Sequence, residues 1–373
     1  MEKGKINAYQ LFVLVFLFEH GSSLVIALGT EAKQDAWVSI LFGMFSGLFL
    51  YAIYYRLFRF YPEIPLTSYV QKIIGPFLGK IIAFIYLLYF FYIGALVLRD
   101  FGELLLTFAY PNTPMFIINS MMILAIMYAI HKGIEVLART GEIFFILLYF
   151  LAFSGFILIV ASGLIDLSKL KPVLEEGLGH ILHATITETI YFPFGETIVF
   201  TMILPYLNIP SKAKFAVISA MVLSGINLTI TSAVNIAVLG VDLVSRSAFP
   251  LLSTIQKIEV ANFLERLDVF FMFATIIGCF FKIAIFFYAA VIGTSDLFKL
   301  KNHLKLVYPL GLVILFFSIS IASNIAEHIK KGTSFIPIYI HIPMQVVIPL
   351  FLLMIVFIRN RKNKAEKNNN TSG

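Results

Sequence analysis

The chain has 373 residues, of which 60% are hydrophobic and 13% charged, with a mean hydropathy of +0.92. So large an apolar surplus excludes a water-soluble domain and places the chain among polytopic membrane proteins. The formal charge of +7 therefore bears on which side of a bilayer each loop occupies, and no nucleic-acid partner is read from it. The single cysteine, Cys279, lies in an apolar run and allows no internal disulfide.

Ten apolar runs follow in order, at 8–30, 36–56, 81–109, 115–130, 141–162, 185–206, 215–240, 266–292, 305–325 and 336–357. A hydrocarbon core about 30 Å thick takes about 20 helical residues, so each is expected to cross the membrane. The fourth is short, and the third and eighth are long enough to tilt. The opening run is too long for a signal-peptide core and is read as a retained helix. An even number of crossings puts both termini on one side. Of the 28 Lys and Arg residues, eighteen then fall on the terminal face and eight on the other, with Arg99 and Lys282 inside spans, which predicts cytoplasmic termini. Residues 1–358 form one transmembrane domain in this reading. The polar stretch RNRKNKAEKNNNTSG, residues 359–373, is expected to be a disordered basic tail. Two outer stretches, DLSKLKPVLEEGLGHILHAT and SRSAFPLLSTIQKIEVANFLE, read as ordered connectors.

The first run, AYQLFVLVFLFEHGSSLVIALG, carries Glu19, His20, Gly21, Ser22 and Ser23 near its middle. The sixth, TETIYFPFGETIVFTMILP, places Pro193, Gly195 and Glu196 in the corresponding position. These two runs open the halves of a five-plus-five array, and because five is odd the second half runs in the opposite direction, as an inverted repeat requires. Proline removes an amide donor and glycine relaxes the backbone, which leaves peptide groups without helical partners where no bulk water reaches. A zwitterion satisfies them, its carboxylate on the amides of one half-helix and its ammonium on the carbonyls of the other. The alternative is a pair of kinks whose freed groups are met by neighbouring helices.

An ionised side chain at the centre of a span costs about 2.5–3.5 kcal/mol, so each one needs a partner. Those at depth are Glu19, His20, Arg99, Asp100, Glu103, Glu196 and Lys282. Arg99 and Glu103 are one helical turn apart and are expected to pair. Lys282 has no acid within a turn on its own helix, so its partner comes from elsewhere; it is expected to fill a coupling-cation position against the carbonyls of the first break or Glu19. Glu196 and His20 each have two readings, proton carrier or satisfied packing group. His180 and His183 sit three apart in an outer loop and read as surface. No P-loop, nucleophile elbow or metal-ligand spacing occurs, so the expectation is a protein that is not an enzyme and needs no cofactor or metal.

In LGTEAKQDAW after the first span, LKPVLEEGLG before the sixth and FPFGE within it, the chain resembles the GerB family of spore germination proteins, integral-membrane B subunits of germinant receptors within the amino acid/polyamine/organocation transporter superfamily. The resemblance covers about residues 5–360. It implies an all-helical LeuT-like fold of ten spans in the spore inner membrane, and partnership with a receptor A subunit and a lipoprotein C subunit. It also implies recognition of a small germinant, commonly an amino acid and sometimes a sugar. Carried onto this sequence, the pocket is expected at Gly21 and Ser22, at Phe194, Gly195 and Glu196, and at Tyr89, Ile93, Phe281 and Lys282. Phe192 and Phe194 are expected to form an apolar wall, and Tyr89 or Tyr92 to add a hydroxyl. Glu19, His20 and Ser23, flanking the first break, complete the expected binding set.

Overall fold

The computed structural model describes residues 4–258, 268–324, 327–328, 331–332 and 336–371, with the side chains from 362 onward outside the description. Arg266, Lys330 and the last part of the second outer connector lie outside those residues. The described chain is helical, with one isolated bridge between Ile6 and Leu207.

Helix α1 (Ala8–Glu19) starts at Asn7, whose side chain accepts the Gln10 amide at 2.9 Å while Gln10 returns the bond to the Asn7 amide at 3.0 Å. This reciprocal cap satisfies two of the donors that a helix start leaves bare. There follow α2 (Ala36–Phe60), α3 (Leu66–Ile74), α4 (Pro76–Phe108), α5 (Met115–Lys132), α6 (Ile134–Ala161) and α7 (Gly177–Ala184). The second part comprises α8 (Ala213–Leu239), α9 (Val241–Arg246), α10 (Pro250–Gln256), α11 (Asp268–Leu297), α12 (Val307–Ser320) and α13 (Ile348–Thr371). A single residue, Gly133, with φ of 94°, turns α5 directly into α6, a conformation open to glycine at little cost. The lengths agree with the sequence reading, 33 residues for α4, 18 for α5 and 30 for α11. The short α3 is additional, and α13 runs on through the basic tail expected to be disordered. Neither Pro nor Gly lies between Pro349 and Gly373 to break it.

Among the described residues, 8 helical segments are long and apolar enough to cross a bilayer. They correspond to the second to fifth and seventh to tenth apolar runs. The first run is helical only over Ala8–Glu19, then a 3₁₀ turn over Ser22–Leu24. The sixth is a π-turn over Thr185–Thr189 and a 3₁₀ segment over Phe194–Met202. The two runs that carry polar interruptions are therefore the two that give no continuous membrane-length helix, in place of ten uniform rods.

Helix α11 occupies the middle of the bundle. Every residue from Phe281 to Ile292 is buried, including Lys282, and a helix apolar on all sides has no face to offer solvent. Connections sort into two groups. At one end Ile6 bonds Tyr206 and Asn208, the Asp296 carboxylate accepts from Thr67 and Ser68 at 2.6–2.8 Å, and Arg359 donates to the Lys72 carbonyl. At the other, the two loop motifs brace each other. The Asp35 carboxylate takes the Leu174 amide at 3.0 Å, Gln34 donates to Glu175 at 2.7 Å and to the Pro172 carbonyl, and Lys33 pairs with Glu176. Asp166 and Lys169 reach Ala237 and Val238 nearby.

Leu174 has a φ of 63°, a left-handed conformation that costs about 1–3 kcal/mol for a side chain of this kind. Asp35, only 4% exposed, holds it there by accepting its amide. Replacing Asp35 with Ala is therefore expected to destabilise the protein by about 1–3 kcal/mol, the loss of a hydrogen bond to a charged group. Lys33→Ala, at a surface pair, is expected to leave the melting curve in place. Thermal unfolding of both variants in nanodiscs checks the order, and equal losses would contradict it.

Candidate functional site

The hydrogen-bond ladder of α1 closes with His20 N–H to the Phe16 carbonyl at 3.2 Å and Gly21 N–H to Phe18 at 3.1 Å, then restarts with Leu24 N–H to the Gly21 carbonyl at 3.4 Å and Val25 N–H to Ser22 at 3.0 Å. Gly21 is the joint between the two stretches, with φ −47° and ψ −112°. Its missing side chain matters for packing. A Cβ there would fall 2.6 Å from both Cβ and Cδ of Lys282, so the lysine stem crosses the break where glycine leaves room. Gly278, one turn earlier on α11, lies equally close, since a Cβ there would be 3.0 Å from the His20 carbonyl oxygen and 3.1 Å from Gly21 Cα. Two glycines thus bring α11 against the bare backbone of the first break.

Lys282 Nζ lies 2.6 Å from Oε2 of Glu196, and both side chains are almost wholly inaccessible. The Phe192 ring centroid is 4.2 Å from the ammonium and that of Phe18 5.2 Å, so the charge is also held against two aromatic faces. The acid partner of Lys282 is therefore Glu196 of the sixth segment and not Glu19. The turn at Phe192 and Pro193 starts the 3₁₀ segment that carries Glu196 to α11. Glu19 lies within electrostatic reach of both charges, yet neither of its oxygens has a hydrogen-bond partner, and it is fully buried. The hydroxyls of Ser22 and Ser23, 1% and 6% exposed, are likewise without partners. Buried polar groups of this kind are uncommon and call for a ligand, a water or a second state.

The run before α13, a π-helical stretch Pro337–Val347, supplies residues that the sequence reading missed. Gln345 donates to the Tyr89 hydroxyl at 2.8 Å, and His341 Nδ1 lies 3.1 Å from that hydroxyl. Tyr54 donates to the Gln345 carbonyl at 2.6 Å and to the Gly195 carbonyl at 3.3 Å. A Cβ at Gly195 would overlap the Gln345 amide, so this glycine too serves close approach. The available signal was the pair His341 and Gln345, four apart in an apolar run interrupted by Pro337 and Pro343.

Other expected residues point elsewhere. Phe194 packs over Gly47 on α2, and Phe281 turns its ring to Phe144 on α6, 5.9 Å between centroids. Ile93 is buried in α4. His20 stacks on Phe16 at 4.1 Å and bonds the Phe16 carbonyl at 2.9 Å through Nδ1. Its ring, with Leu24, borders a cavity of about 390 Å³ that extends between α6, α8, α10 and α11. The sixth segment does not line that cavity. Farther along α4, Arg99 pairs with Glu103 at 2.6 Å as the spacing predicts, and donates to the carbonyls of Ser318 and Ile319 at the end of α12. Asp100 holds His328 at 2.6 Å.

Removing one member of a buried pair strands the other, which costs about 3–5 kcal/mol, whereas neutralising both costs far less. Lys282→Met is thus expected to destabilise strongly, and Lys282→Met combined with Glu196→Gln to recover most of the loss. Unfolding midpoints of the two singles and the double test this; additive losses would contradict a direct pair.

Residues 5–326 match the family described as "Spore germination protein". The chain is 48% identical to spore germination protein KB of Bacillus subtilis (strain 168) over 98% of both chains. It is 26% identical to spore germination protein YndE of the same organism over 97% of this chain and 99% of that one. With spore germination protein XB of Bacillus anthracis the identity is 23%, over 90% and 91%. The loop motifs that brace one end of the bundle and the FPFGE turn that delivers Glu196 to Lys282 are thus features of a chain that belongs to the spore germination protein family.

Proposed function

We propose that this chain is the nutrient-binding membrane subunit of a spore germinant receptor, recognising a small germinant, most simply an amino acid, at the first break. The observation that carries the reading is the set of buried, unpartnered polar groups there, the Glu19 carboxylate and the Ser22 and Ser23 hydroxyls, beside the Glu196–Lys282 pair. Glu19 lies within electrostatic reach of the Lys282 ammonium but has no hydrogen-bond partner in this apolar interior. An amino acid offers Glu19 an ion-pair partner in its ammonium. Its carboxylate then takes the serine hydroxyls and the amides bared at the break. A sugar offers hydroxyls to the serines but no cation to Glu19.

The eight membrane-length helical segments and two interrupted runs support a LeuT-like ten-span arrangement of two inverted halves, and the two groups of loop contacts support both termini lying on one side, read as the cytoplasmic face of the spore inner membrane. In that arrangement ligand binding shifts the broken segments, and the change passes to a receptor A subunit and a lipoprotein C subunit. The role is one of binding, not catalysis. Lys282, seated over Gly21, stands where a coupling cation would otherwise neutralise the break.

A thermal-shift screen of amino acids and sugars on the purified receptor tests the reading. A ligand at about 100 times its Kd stabilises by about 2.7 kcal/mol. The shift is expected with an amino acid, and to vanish in Glu19→Gln and in Ser22→Ala with Ser23→Ala, while the unliganded variants melt as cooperatively as the parent. A shift undiminished in both variants would remove the nutrient from this break. The same site suits a proton-coupled amino acid permease, because an unpaired buried carboxylate also accepts a proton. Uptake of labelled amino acid by the purified chain in liposomes decides between them: a receptor subunit gives no saturable uptake, and saturable uptake without partners would establish the permease.

A further inference from the structure

The cavity of about 390 Å³ beside the first break plays no part in the ion-pair site. Its inner end is formed by His20 and Leu24, and its floor by Leu148, Leu151 and Ile159, which are 2%, 7% and 5% exposed. Its rim lies on the outer surfaces of α6 and α8, where Phe153 is 66%, Phe156 42% and Ile230 46% exposed. Both helices are among those long and apolar enough to span a bilayer, so the mouth opens sideways onto hydrocarbon. Gly155 lies in the wall, and a Cβ there would meet no atom of the described residues within 4 Å, so none of them fills the space beside it.

Water gains little in such a space. Apolar cavities stay dry, and a water needs two to four polar partners. The polar groups here are sparse and mostly engaged. Asn227 donates to the Tyr149 hydroxyl at 3.2 Å, Thr231 donates to the Asn227 carbonyl at 2.9 Å, and His20 uses Nδ1 on Phe16. The second ring nitrogen of His20 is left among few polar groups in a space walled by hydrocarbon.

We infer that this cavity is a binding site for a single hydrocarbon chain that enters from the bilayer between α6 and α8 and ends against His20 and Leu24. The walls provide apolar contact along the chain, and the inner end accepts one hydrogen-bonding group. A phospholipid acyl chain and a free medium-chain alcohol share this chemistry. The site is separate from the polar groups assigned to the nutrient, so either assignment can fail without the other. A chain lodged here touches the same segment, His20 to Leu24, from its apolar side, which links the state of the membrane to the first break.

The test is photolabelling of the purified chain in nanodiscs, in two arms. One uses phosphatidylcholine with a diazirine at the end of one acyl chain; the other uses diazirine-bearing 1-decanol in ordinary phospholipid. Adducts mapped by mass spectrometry are expected on the buried Leu148, Leu151 and Ile159 as well as on the exposed Phe150 and Ile157. The arm that labels the interior identifies the source of the chain. Gly155→Leu fills the space and is expected to lower interior labelling about tenfold, leaving the exposed positions unchanged and the melting temperature no lower, since leucine also favours a helix. Phe153→Ala, which widens the mouth, is expected to raise interior labelling and gives a reading independent of whether the filled variant folds. Adducts confined to exposed residues in both arms, or interior adducts indifferent to both substitutions, would overturn the inference.

Discussion

A lysine ammonium and a glutamate carboxylate 2.6 Å apart, deep in an apolar bundle, are tolerable only if each stays beside the other. That requirement governs the surrounding packing. Lys282 sits in the stretch of α11 that is buried on every side, so its stem needs a passage, and Gly21 and Gly278 provide one by letting α11 press against the backbone of the first segment. Glu196 must arrive from the opposite direction, and the turn at Pro193 with the tight 3₁₀ segment behind it brings it there. The breaks and the ion pair are therefore one feature. Unwound backbone admits the charges into a place without water.

Unpartnered polar groups then separate this site from a structural kink. A kink needs its free peptide groups satisfied and nothing more. Here the Glu19 carboxyl and the Ser22 and Ser23 hydroxyls are among the buried groups with no hydrogen-bond partner in the described residues. Their neighbour His20 faces the other way, stacked on Phe16 and bordering the apolar cavity. The short stretch from Glu19 to Leu24 thus meets Lys282 at Gly21 and the apolar cavity at His20 and Leu24.

Much of this was legible in the sequence, and the limits have physical causes. The eight membrane-length helical segments follow from length and hydropathy, and the two exceptions from the polar and Pro/Gly residues at Glu19 to Ser23 and at Pro193 to Glu196. The Arg99–Glu103 pair follows from helical spacing alone. That Lys282 must look outside its own helix was also legible, but the choice of Glu196 over Glu19 was not, because it depends on how far the turn at Pro193 swings the next residues. Phe194 and Phe281 were expected at the site by resemblance, yet face α2 and α6; periodicity does not say which of several apolar neighbours a buried ring will meet. His341, Gln345 and Tyr54 were missed because each is unremarkable alone and gains meaning only when the tenth run packs on Tyr89 and Gly195.

The central claim is that the nutrient's ammonium rests against Glu19 at the first break. Solid-state NMR of the receptor in lipid, with a ¹⁵N-labelled amino acid that binds it and ¹³C-labelled glutamate, measures that contact directly. The account predicts dipolar coupling between the ligand nitrogen and the Glu19 side-chain carboxyl carbon corresponding to about 4 Å or less, the reach of an ion pair. Bound ligand showing no such coupling, with Glu19 indistinguishable from its unliganded state, would contradict it.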